Sequence, residues 1–298
     1  MKKLIGMGSR LLSINQVVVE RVIDSVSTLF TIDNQAMIKN STPQIIPVLP
    51  ILQYFGFADT EQVELGLKTS TNQNLIYTLK PSLMNRNNRI SFRPETLTFS
   101  MKNERAFFTD WYSPEEKIYY MLYNKCWSKE LELQHGNKET AEKTPSFKEF
   151  EERAFHILEN KPVQKVIFDL RYNGGGNSLQ GTVFIEKLAK FLEESPDTKV
   201  YVVSGRATFS SAILNAMDFK RLTNAIFVGE ETAGKPNHFG EVRNFQLPNS
   251  KLYVSYSTKY FKRTDENVNT IKPDVVIEMS FSDFTKGIDP VYEWIKQQ

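Results

Sequence analysis

The period of the apolar positions shifts along the chain, and each shift predicts a different element. Arg10–Ile14 reads as a short strand. Val18, Val22, Val26 and Leu29 recur at helical spacing and predict a helix over Val18–Leu29. Pro43, Pro47 and Pro50 break the next stretch into a connector or an interrupted helix. Gln62–Lys68 and Leu75–Lys80 flank the polar Thr69–Asn74 and predict a hairpin. Glu95–Met101 alternates with period two and predicts a further strand. These elements make residues 1–105 a small, mostly β region.

Beyond it the pattern changes. Ile118–Tyr123 is strand-like, and the polar Ser128–Pro145 predicts a solvated insertion. Ser146 and Glu149 have capping-box spacing and open a helix to about Glu159, with Pro162 beyond its end. Val166–Leu170 is a continuous apolar run, as in a strand covered on both faces. A helix carrying Leu179, Val183, Phe184, Leu188, Phe191 and Leu192 on its inner side follows. Lys199–Val203 predicts a strand, Ser210–Leu222 a helix with Leu214 and Met217 inward, and Ala225–Val228 a buried strand. Asp289 and Pro290 begin a terminal helix. The β-α-β-α-β order from about Val163 to Glu230 predicts a parallel sheet with helices on its faces, an α/β core within 106–298.

Composition adds few constraints. The 298 residues are 40% hydrophobic and 24% charged, enough for a sizeable core without staples. With 37 basic and 35 acidic residues the net charge is +2, so no nucleic acid or anionic membrane is implied as partner. Cys126 is the lone cysteine, which excludes an internal disulfide and fits a reducing compartment. His135, His156 and His238 are scattered, so no metal site is expected. The basic start Met1–Arg10 lacks the apolar stretch of a signal peptide, and no run is long enough to span a membrane. The expectation is a cytoplasmic chain as written, from which a longer exported form would differ.

Candidate chemistry gathers in the loops after the parallel strands. Gly174, Gly175 and Gly176 follow the Val166–Leu170 strand. Their spacing fits neither a dinucleotide fingerprint nor a phosphate loop. On their own they need be no more than a tight turn. Ser210 and Ser211 open a helix, where a hydroxyl often does nothing but cap. Lys235 lies in Gly229–Lys235, past the next strand. Loops after successive parallel strands emerge at one sheet edge. Backbone amides, a serine at a helix start and an amine would meet there, a set suited to acyl transfer.

In order, Asp169–Gly176, Thr208–Ala212, Val228–Lys235 and Ile271–Asp274 resemble the C-terminal processing (tail-specific) peptidases, relatives of the tricorn core protease. The resemblance runs from about Ile118 to the C-terminus. It implies a ClpP/crotonase-like core preceded by a partial PDZ-like region, giving domains 1–105 and 106–298. It implies Ser210 as nucleophile, Lys235 as general base, and Gly175 with the Ser211 amide as oxyanion hole. Gly174, Gly176, His238 and Glu266 are secondary candidates. A polypeptide substrate and no cofactor follow. A lysine base must be unprotonated, which burial favours. The pattern departs at Ile213–Leu214, where an acidic residue often follows the nucleophile motif. It departs at Phe239, where glutamine is expected. The chain also opens inside the PDZ-like region, after the point where tricorn-type relatives carry a catalytic histidine. The alternatives are a non-catalytic peptide-binding relative and a crotonase-like acyl-CoA enzyme.

Overall fold

Successive residues of the central strands are buried on opposite faces of one sheet, the signature of a layer covered on both sides. The structure, a computed structural model, describes residues 7–59, 62–83, 92, 94 and 96–298. It divides into two units, 1–96 with 280–287, and 97–279 with 288–298. Most of the basic start, residues 1–6, lies outside the described residues.

In the first unit, β1 (Arg10–Ile14) turns through the left-handed Asn15 and Gln16 into β2 (Val17–Val18). α1 (Val19–Ser27) buries Val22 and Val26, the face its periodicity predicts. α2 (Gln35–Ile45) starts at Asn34, whose Oδ1 accepts the Met37 N–H at 2.9 Å. It runs through Pro43, and α3 (Leu49–Tyr54) restarts with Pro50 in its first turn, where a missing N–H costs nothing. The interrupted helix is therefore real. β3 (Val63–Lys68) and β4 (Asn74–Leu79) form the expected hairpin, and the sheet order is β2-β1-β3-β4. Ile14, Val22, Val26, Leu52, Phe57 and Val63 form its core.

The second unit opens with α4 (Phe99–Lys102), where a strand was expected. Thr98 Oγ1 accepts the Met101 N–H and caps a single turn, and three alternating apolar residues were too few to decide the period. β5 (Phe108–Ser113) and β6 (Ile118–Tyr123) are antiparallel. The polar insertion folds into α5 (Lys129–Gln134) and α6 (Lys138–Lys143), which bury Leu131 and Ala141. They are too short to display a helical apolar stripe. In α7 (Phe147–Asn160) the Ser146 hydroxyl accepts the Glu149 N–H, but it donates to the Glu130 carboxylate.

β7 (Lys165–Asp169), α8 (Ser178–Glu194), β8 (Lys199–Ser204), α9 (Ser211–Leu222) and β9 (Ile226–Gly229) realise the β-α-β-α-β pattern. Next come β10 (His238–Gln246) and β11 (Tyr253–Phe261), a hairpin the periodicity did not announce. β12 (Val275–Val276) completes a six-stranded sheet in the order β12-β9-β8-β7-β6-β5, parallel except at β5. α10 (Phe281–Lys286) belongs to the first unit, and α11 (Pro290–Lys296) closes the second.

Tyr119, Met121, Val166, Phe168 and Val202 pack against α7, α8 and α9. Tyr120, Ile167, Tyr201 and Val203 pack against Val291 and Ile295 of α11. One expectation fails on α8. Phe184 and Leu188 are buried, but Leu179 and Val183 are exposed because the helix core-facing stripe is narrower than its apolar one. Among the described residues, no helix is long and apolar enough to cross a membrane.

Candidate active site

The turn after β7 is built from side chains that mimic backbone. Asp169 Oδ1 accepts the Arg171 N–H at 2.8 Å, Asn173 Oδ1 the Gly175 N–H at 2.8 Å, and Asn177 Oδ1 the Leu179 N–H at 2.9 Å. These are three Asx-turns in succession, four residues apart. The last also caps α8. Between them Gly175 and Gly176 take φ of +105° and +136°, where a side chain is strained. Both also lie against backbone. A Cβ on Gly176 would stand 2.3 Å from the Cys126 carbonyl oxygen. One on Gly175 would stand 2.7 Å from Ser210 Cβ and 3.0 Å from the Ser211 nitrogen. The glycines are therefore required by close approach as well as by the turn.

Ser210 sits on the facing turn, between β8 and α9. Its backbone has φ 53° and ψ −123°, a strained conformation for any residue but glycine. It occupies the N-cap position of α9, yet its hydroxyl caps nothing and bonds to no other described residue. The capping explanation thus fails for Ser210. Every neighbour is fastened to the glycine turn. Thr208 Oγ1 donates to the Leu170 carbonyl at 2.8 Å, the Phe209 N–H to the Asn173 carbonyl at 3.0 Å, and Ser211 Oγ to the Gly176 carbonyl at 2.7 Å. Ser211 spends its hydroxyl in this clamp, which leaves its N–H at the helix start.

Gly175 differs from expectation in one respect. Its Cα faces Ser210, but its N–H is not open toward the serine. The Asx-turn draws that N–H onto the Asn173 carboxamide.

The third loop brings Lys235. A Cβ on Gly234 would stand 2.9 Å from the Phe209 ring and 3.1 Å from Ile213, so this loop packs on the residue before Ser210. Thr232 holds it in place. The Thr232 hydroxyl donates to the Gly234 carbonyl and accepts the Ile271 N–H at 2.9 Å. Lys235 is half-buried, and its amine forms no hydrogen bond with Ser210. His238 places Nδ1 3.0 Å from the Lys235 carbonyl oxygen, so its ring is held by this loop's backbone. Gly174 is exposed on the turn. Glu266 is exposed on a later loop, where its N–H donates to Thr264 Oγ1.

Residues 143–277 match the profile of peptidase family S41, from the end of α6 to just past β12. The match spans a little under half of the chain, and over those residues the chain is similar to the family. The match supports a serine-type peptidase. No curated protein sequence matches it. Among solved structures it is similar to mature CPAF, at 11% identity and a TM-score of 0.57, covering 100% of this chain and 77% of that one. A structure of mature CPAF complexed with lactacystin gives 13% identity, a TM-score of 0.57, and coverage of 100% and 78%. At such identities the likeness speaks for the fold alone.

The S41 segment carries further residues that pattern reading missed. Asn173 is fully buried, and its Nδ2 donates to the Tyr123 carbonyl at 2.7 Å. It therefore joins the end of β6, the glycine turn and the serine turn. The signal was present as Asp169, Asn173 and Asn177, acceptors at a spacing of four around the glycines. Beneath the turn, Arg171 bridges Asp169 at 2.8 Å and Asp289 at 3.0 Å, both buried. Burial raises the Asp169 carboxyl, against the pull of Arg171. Burial also opposes the Arg171 charge, but the Asp169 carboxylate overrides it and the guanidinium stays protonated. Cys126 lies beside the glycine turn, but burial pushes its thiol up to about 12, so it is no nucleophile at neutral pH.

Proposed function

We propose that this S41 peptidase cuts extended polypeptides through an acyl-enzyme on Ser210. The observation that carries the reading is the Ser210 backbone, strained at a helix start with its hydroxyl unengaged and Gly175 against its Cβ. Strain of this kind, held by surrounding structure, marks a residue placed for chemistry. Ser210 Oγ attacks the scissile carbonyl, and its proton passes to the Lys235 amine as general base. The negative oxygen of the tetrahedral intermediate is met by the Ser211 N–H, backed by the positive end of α9. The Gly175 N–H joins it by turning from Asn173. The C–N bond then breaks, the leaving amine takes the proton, and water releases the acyl group by the same steps. Residues 1–105 serve as a PDZ-like region and 106–298 as the catalytic core.

The test is digestion of an unfolded polypeptide, with new termini identified by mass spectrometry. Ser210→Ala is expected to abolish cleavage. Lys235→Ala is expected to lower turnover by about 10²–10⁴-fold, the usual cost of losing a general base. Cleavage that persists in Ser210→Ala defeats the proposal.

A further inference from the structure

The β10–β11 hairpin stands apart from the six-stranded sheet as a sheet of its own. No third strand pairs with either of its edges among the described residues. Two strands alone are marginal in water, and unpaired edges are templates for another strand. Nine residues on each side are held in this form.

One face of the hairpin is aromatic. Tyr260, Tyr256 and Val254 alternate along β11 and so share a face. Phe239 pairs with Tyr260, and Phe245 pairs with Val254. The rings meet across the strands, Phe239 with Tyr260 at 4.8 Å and Phe245 with Tyr256 at 6.1 Å. None of the four is covered: Phe239 is 71% exposed, Phe245 50%, Tyr256 48% and Tyr260 51%. A face of this kind marks an interaction surface.

The stripe begins near the candidate site in the chain. Phe239 follows Lys235 by four residues, so their Cα atoms lie within about 14 Å. The Lys235 loop in turn packs on Phe209 beside Ser210. Arg243 stands opposite Tyr256 within the stripe, and Glu241 shares its face. An extended polypeptide held at Ser210, with alternating apolar side chains, meets both the aromatic face and the free edges.

We infer that the aromatic face and free edge of β10–β11 bind the substrate polypeptide as an added strand, at positions remote from the scissile bond. This rests on the proposed peptidase reading, and it names where the substrate is gripped.

The experiment uses the full chain carrying Ser210→Ala, so that nothing is cut, and fluorescein-labelled β-casein as an acidic unfolded probe. Fluorescence anisotropy gives the affinity with and without the pair Phe245→Ser and Tyr256→Ser. The pair is expected to weaken binding at least about tenfold, since exposed aromatics are frequent binding hot spots. Arg243→Gln, a second and gentler change, is expected to weaken it less, and more at low salt than at high. Thermal unfolding checks that each variant is folded. Unchanged casein affinity in both folded variants overturns the inference, as does failure of the Ser210→Ala chain to bind casein. Light scattering showing that the pair splits a dimer while casein affinity holds also overturns it, in favour of a second copy. Labelling of Ser210 by a serine-directed probe in the unsubstituted chain reports the chemistry separately. If Ser210 labels and the pair binds casein normally, the docking surface alone falls.

Discussion

The turns around Ser210 and the β10–β11 hairpin lie close in the chain but are built by opposite rules. In the turns nearly every polar group is committed. Thr208, Phe209 and Ser211 all bond to the glycine turn, and Asn173 ties that turn to β6. In the hairpin, side chains touch mainly one another and both faces are open. Each job has its own structural demand. A nucleophile held against backbone strain needs a rigid shell to fix it. A surface that takes many sequences gains from main-chain edges and adaptable aromatics.

The contrast is broken most severely at Arg171. Replacing it by Met leaves Asp169 and Asp289 as buried carboxylates without their cation. We expect a loss of about 3–5 kcal/mol in urea unfolding, the usual cost of orphaning a buried charge. A loss under about 1 kcal/mol would show that the turns do not depend on this bridge.

Gly175→Ala comes next. Its Cβ would press on Ser210 Cβ at a φ of +105°, so the serine must move. Peptidase kcat/KM is expected to fall by about 10²–10³-fold, as when an oxyanion donor is lost. Near-normal kcat/KM would mean that the two turns are not packed as described.

Asn173→Ala removes the partner of the Gly175 N–H and the Tyr123 carbonyl. About 1–3 kcal/mol of stability should go, the cost of stranding buried polar groups. Chemical denaturation reads it directly, and an unchanged midpoint would make Asn173 a bystander.

The hairpin supplies the smallest effect. Tyr253 is 72% exposed and lies outside the aromatic stripe. Tyr253→Ser should change stability by no more than about 0.5 kcal/mol. A larger loss would show that the hairpin is part of the core after all.

These regions also differ in how far the sequence disclosed them. β7, β8 and β9 were legible because strands buried on both faces must be continuously apolar, as Val166–Phe168 is. Ser210, Lys235 and the glycines were legible as an ordered set of motifs at the ends of those strands. The hairpin was not, because a two-stranded sheet open on both faces imposes no strict alternation on His238–Gln246. The polar stretch of α5 and α6 hid two helices for a related reason: each buries too little to show a stripe. The direction of the Gly175 N–H was beyond pattern reading. It depends on a hydrogen bond to Asn173 that only the folded turn reveals.

On the proposed reading the strained Ser210, and not Ser211, is the nucleophile. Treating the full chain with a fluorophosphonate and mapping the adduct by peptide mass spectrometry tests this most directly. One adduct is expected, on Ser210, lost in Ser210→Ala and retained in Ser211→Ala at a reduced rate, because Ser211 Oγ clamps the Gly176 carbonyl. An adduct on Ser211, or labelling that survives in Ser210→Ala, would contradict it.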